Sequence, residues 1–216
     1  MLSAHSFPAG YDVDAADTRD RVMAFINVTG IPARYESGAS GFSEACRVDR
    51  GTLAIDPACR ISTMFHEAGH LAITPRRFRP WMHGNLHAGQ RKMLETVDEA
   101  GLHPNDPLCR AVIPCSDPEA TMRAWTAGVA LGLPSEEIVR DDECGGEGEA
   151  VRLLLQMRAC IGVYGLVHDA ASCEIRARNG TAAAWPHLHC WTQELGSADE
   201  AGAIATISAV LQAGVS

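Results

Sequence analysis

Residues 56–75 read DPACRISTMFHEAGHLAITP, with His66-Glu67-Ala68-Gly69-His70 at the centre. Two histidines four apart on a helix lie one turn from each other and within about 40° around the axis, so both imidazoles can reach one ion. At about 100° per residue, Ile61, Met64, Phe65, Ala68, Leu71 and Ala72 gather into one apolar stripe, the core-facing side of a buried helix. His66 and His70 project from nearly the opposite side. Their neighbours there are Thr63, Ala68, Gly69 and Ile73, neither core-like nor richly charged, which suits the floor of a cleft. Asp56 is placed to cap this helix, Pro57 to occupy its first position, and Thr74-Pro75 to end it.

This motif implies metal chemistry. Two histidines supply two of the three protein ligands that a catalytic zinc requires. Glu67, directly after the first, is placed to accept a proton from the bound water. A third histidine six residues on is ruled out, because Arg76 stands at that position and Ile73 replaces the glycine of that longer motif. A carboxylate from a later helix remains, and Glu95, Asp98, Asp117, Glu119, Glu147 and Glu149 are the candidates.

Working outward, Asp14 or Asp17 is placed to cap a helix running to about Asn27, with Val22, Phe25 and Ile26 on one face, closed by Gly30 and Pro32. A short strand through Arg34 and Tyr35 follows. The runs 45–48 and 52–55 flank Asp49-Arg50-Gly51 and read as a β-hairpin, whose second strand is expected to offer an edge to an extended substrate. Residues 78–117 look irregular, with one helix near 90–100. Pro118 opens another, capped by Ser116 or Asp117 and stopped by Gly132 and Pro134. Small Ala68 and Gly69 leave the motif helix thin where a second backbone could approach, and Met122, Trp125 and Val129 give this later helix an apolar face to dock with. The 48 residues between His70 and Glu119 would then cover the cleft. RDDECGGEGE (140–149) reads as an acidic, glycine-rich connector to a long helix over 149–168, with a hairpin near Asn179-Gly180 and a C-terminal helix beyond. The fold class is α+β: mostly helical, with a small early sheet and the motif on a central helix, in one domain over 1–216.

Composition narrows the function classes. The chain of 216 residues is 46% apolar and carries a formal charge of −9, which opposes attraction to nucleic acid or anionic membrane. No apolar run reaches a membrane span, and no export signal precedes the first helix. The eight cysteines form no Cys-x-x-Cys pair, which points to free thiols and a cytoplasmic location. Arg76, Arg77 and Arg79 read as a solvated turn. His83, His87 and His103 read as loop histidines, although one could stabilise an oxyanion. Tyr164 and His168, four apart, could polarise a substrate carbonyl but have core packing as their plainer reading, and the His187-Leu188-His189-Cys190 run could hold a metal but reads more plainly as a strand or loop near Trp185 and Trp191.

The order helix, GIPARY strand, hairpin ending GTLAIDP, then MFHEAGHLA resembles the ImmA/IrrE group of cytosolic zincin-like peptidases. It is also similar to the peptidase part of antirestriction proteins. The resemblance spans about residues 15–134 and is closest over 63–72. In that group the third ligand is typically the glutamate of a Glu-Ala segment opening a helix that ends near Leu-Pro. DPEATMRAWTAGVALGLP fits that description, so the resemblance assigns His66, His70 and Glu119 to Zn2+ and Glu67 to catalysis. It implies a gluzincin-like metallopeptidase that cleaves a peptide bond in a protein or peptide partner. The rival reading is a non-catalytic zinc-binding regulatory protein of a mobile element with the same fold.

Overall fold

The computed structural model describes residues 18–160, 162, 185, 186, 188 and 191–193. Within them the fold is mixed and mostly helical, around one small sheet. Helix α1 (Thr18–Val28) buries Val22, Met23, Phe25 and Ile26. Strands β1 (Ala33–Tyr35), β2 (Cys46–Asp49) and β3 (Thr52–Ile55) form a sheet in the order β1-β3-β2. The β1–β3 pair is parallel and the β2–β3 pair antiparallel.

The hairpin falls where the sequence places it, but its turn is shorter. Asp49 pairs with Thr52, leaving Arg50 (φ 48°) and Gly51 (φ 81°) as a two-residue turn with both residues left-handed. Gly51 is required on a second count, because a Cβ there would lie 2.8 Å from the Arg79 carbonyl oxygen.

The expectation that residues 52–55 offer a free edge is corrected. β3 is the central strand, and Leu53, Ala54 and Ile55 are fully buried. A continuous apolar run belongs in the middle of a sheet, where both faces are covered.

The motif helix α2 (Ile61–Ile73) starts four residues after the expected proline. Asp56 serves a preceding turn instead, accepting from the Ala58 N–H at 2.7 Å and the Gly38 N–H at 2.6 Å. A 3₁₀ segment, Arg76–Trp81, follows. Arg79 is buried rather than solvated, donating to the Thr74 carbonyl at 3.1 Å and the Gln193 carbonyl at 3.2 Å. Helix α3 (Leu86–Glu99) begins a turn earlier than expected because Asn85 caps it. Helix α4 (Pro107–Val112), capped by Asp106, occupies part of the stretch read as irregular.

Helix α5 (Asp117–Ala130), with Ser116 at its N-cap, packs along α2 in the most extensive helix–helix contact among the described residues. Two short elements come next, α6 (Ser135–Ile138) and a 3₁₀ turn at Cys144–Gly146. Helix α7 (Gly148–Gln156) is much shorter than the 149–168 reading, and Arg158 breaks away with φ 58°. Asp14, Asp17, Tyr164, His168, the 179–180 hairpin, the C-terminal helix, His187, His189 and Cys190 lie outside the described residues. Gln193 docks on the far side of α2, donating its N–H to the Ala72 carbonyl at 2.7 Å.

Cys46, Cys59, Cys109, Cys115, Cys144 and Cys160 are free thiols. No helix among the described residues is long and apolar enough to cross a membrane.

Candidate metal centre

Helix α2 is buried almost all round. Met64, Phe65, Ala68 and Leu71 face the core as the periodicity requires, yet Glu67, Gly69 and His70 are buried too. The second covering layer is α5. A Cβ on Gly69 would lie 2.4 Å from the Ala120 carbonyl oxygen, so the two backbones meet where the motif helix has no side chain. Met122 and Trp125 are buried and Val129 is partly buried, giving α5 the apolar face with which it docks.

That crossing brings the first turn of α5 to the histidines. The Nε2 atoms of His66 and His70 are 3.1 Å apart, and His70 Nε2 is 3.1 Å from Asp117 Oδ1. Ligand atoms of His66, His70 and Asp117 all lie within 4.8 Å of one another. Donors held about 2.0–2.1 Å from a tetrahedral ion are separated by about 3.3 Å, so the two 3.1 Å contacts are close to two edges of such a polyhedron. His70 Nδ1 is buried and has no hydrogen-bond partner among the described residues. The donor set of two imidazoles and one carboxylate suits zinc, and the three residues fit the group.

Protonation states agree with this fit. Burial, and then the nearby charge of His70, holds His66 below the ordinary histidine value. The hydrogen bond to His70 holds the Asp117 carboxyl below the usual carboxylate range. A neutral imidazole and an ionised carboxylate at neutral pH are the forms that bind metal. The Asp117 side chain is 64% exposed, which leaves the cluster open to solvent on one side rather than closed as a structural site would be.

The carboxylate that falls in this cluster is Asp117, not Glu119, the one the resemblance assigns. Glu119, two residues further along the same turn, is buried and accepts a hydrogen bond from the Ser116 hydroxyl. It reinforces the start of α5, while Asp117, already among the candidates, completes the group of three. Successive positions on a helix point about 100° apart, so choosing between 117 and 119 needs the rotation of α5 about its axis, which spacing does not supply. Glu95 and Asp98 sit on α3, and neither they nor Glu147 and Glu149 belong to the cluster.

Glu67 is buried and receives a hydrogen bond from the Ser43 hydroxyl. Ser43 and its loop carried no signal in the sequence. Ala45 takes a left-handed conformation (φ 60°), and a single bridge links Ser43 to Cys46, so the loop turns back over α2. Ser43 lines the same cavity as His66 and Asp117, which puts the partner of Glu67 in the cleft wall. Of the loop histidines, His83 meets Asp49 at 3.1 Å, His103 accepts from the Asn105 N–H at 3.1 Å, and His87 rests edge-on against exposed Phe42.

The cavity wall departs from expectation. No residue of the segment between α2 and α5 lines it; Ile138, Val139, Glu143 and Cys144 do. The acidic run read as a connector is thus part of the site, pinned to α2 by Arg60–Asp142 at 2.8 Å and Ser62–Glu143 at 2.6 Å.

Neither a family model, nor a curated protein, nor a solved structure matches this chain.

Proposed function

We propose that the protein is a zinc-dependent metallopeptidase that hydrolyses a peptide bond in a protein or peptide substrate, with a zincin-like arrangement of its motif helix. The reading is supported above all by the convergence of His66, His70 and Asp117 beside an open cavity, with the buried carboxylate of Glu67 next to His66 in sequence. His66, His70 and Asp117 would hold the ion. Bound zinc would polarise the substrate carbonyl and lower the pKa of an attached water towards about 7.

Every other role falls to residues of this chain. Glu67 accepts the proton lost by the attacking water and returns it to the departing amine. Ser43 donates to one carboxylate oxygen of Glu67, which fixes the side chain and leaves the other oxygen free for that transfer. A purely structural ion would need neither this carboxylate nor a solvent-facing ligand, so Glu67 and the exposure of Asp117 favour an enzyme over a regulatory zinc protein.

The test is digestion of a degenerate peptide library by zinc-loaded protein, with cleavage sites read by mass spectrometry. Wild-type protein should cut it. Glu67→Gln should keep zinc and fold yet lose about 10²–10⁴-fold in rate, the range of a general base. Cleavage by Glu67→Gln at the wild-type rate would remove Glu67 from the mechanism.

A further inference from the structure

The cavity beside His66 and Asp117 measures about 360 Å³, within the usual size of a ligand pocket. Ala124, Ile138 and Val139 give it apolar lining, and Glu143 lines it as well. That carboxylate is held in place. One oxygen accepts from the Ser62 hydroxyl at 2.6 Å, and the other from the Arg140 N–H at 3.0 Å. Each oxygen accepts one bond and has a lone pair left, so Glu143 can still receive a donor from the cavity. The loop that carries it is fixed on both sides. Arg152 bonds Asp141 at 2.5 Å and the Val139 carbonyl at 2.7 Å, while Arg60 pairs with Asp142.

Among the described residues, no lysine or arginine lines this cavity. Arg60 and Arg140 lie beyond Ser62, line the neighbouring groove and share Asp142 between them, at 2.8 and 3.3 Å. Asp117 is turned towards the histidines. Glu143 is therefore the carboxylate left to meet an incoming group, in a cavity that Ile138 and Val139 also line.

We infer that this cavity selects the residue flanking the scissile bond and takes a lysine or arginine side chain, with Glu143 as its recognition group; the inference rests on the peptidase reading. The long aliphatic stem of such a side chain would pack on Ile138 and Val139 and bring its charge to Glu143. A leucine would fill the apolar part and leave the carboxylate unanswered. An aspartate or glutamate would be repelled.

The test compares binding of N-acetyl-arginine hydroxamate and N-acetyl-leucine hydroxamate to zinc-loaded protein by calorimetry, so that it does not depend on turnover. Wild type should bind the arginine compound about tenfold more tightly, the scale of one charge-assisted hydrogen bond. Glu143→Gln should erase the difference, and Glu143→Lys should invert it. Equal affinities in wild type, binding of neither compound, or an arginine preference that survives Glu143→Gln would overturn the inference. The peptide library separates the two readings. An arginine preference without any cleavage leaves the pocket standing and removes the peptidase. Cleavage with no enrichment of basic residues beside the cut does the reverse.

Discussion

Gly69 and Ala120 meet backbone to backbone: a Cβ added to Gly69 would stand 2.4 Å from the Ala120 carbonyl oxygen. This contact sets the height of α5 on α2, and with it the reach of Asp117 to His70. In an exposed helix, Gly→Ala would stabilise by about 1 kcal/mol. Here the clash is with backbone and opposes that gain. Gly69→Ala should destabilise by about 1–3 kcal/mol, the usual cost of overpacking, and should weaken zinc binding because Asp117 moves away. Urea denaturation and a zinc titration check both effects. A variant more stable than wild type with unchanged zinc affinity would show that the close approach does not position the site.

Glu119 accepts from Ser116 at the start of α5 and lies outside the His66–His70–Asp117 cluster. Glu119→Ala removes the partner of Ser116 and a carboxylate from the first turn of α5, favourable there because of the helix dipole. A loss of about 0.5–2 kcal/mol in stability is expected, on the scale of a capping interaction, with zinc affinity within about tenfold of wild type. Chemical denaturation beside chelator competition distinguishes this from a ligand's role, for which the zinc loss would dominate.

Asp56 clasps two backbone N–H groups, of Ala58 and Gly38, and these bonds hold its carboxyl below the usual value. A carboxylate whose pKa is lower folded than unfolded contributes stability above the unfolded value of about 3.9, and that contribution is lost as pH falls through the folded one. Asp56→Ala should therefore have a lower Tm than wild type at pH 7, and the gap should narrow below about pH 4. A gap independent of pH would mean that the clasp acts through packing alone.

Much of this architecture can be read from the residues. The 3.6-residue apolar stripe on 61–72 marks α2, and Arg50-Gly51 marks the hairpin turn. The absence of bulk at Ala68 and Gly69, together with Met122 and Trp125, foreshadows the docking of α5. What stayed hidden depends on tertiary packing. The choice of Asp117 over Glu119 turns on the rotation of one helix. Ser43 reaches Glu67 only because a left-handed Ala45 folds its loop back. Residues 140–144 read as a polar linker because nothing local reveals that Arg60 and Ser62 hold them against the cleft. The central place of β3 was legible in its unbroken Leu53-Ala54-Ile55 run, since a strand at an exposed edge would alternate.

The most direct test of the metal centre is zinc affinity, measured by competition with a chromophoric chelator across the variant set. Wild type should hold about one zinc per chain, the complement of one three-ligand site. Asp117→Ala should weaken binding by more than about a hundredfold, beyond the 10–100-fold typical of losing an outer-shell partner, and His66→Ala/His70→Ala should abolish it. Wild-type affinity in the double histidine variant would contradict the site outright. Wild-type affinity in Asp117→Ala, with loss in Glu119→Ala, would return the third ligand to Glu119.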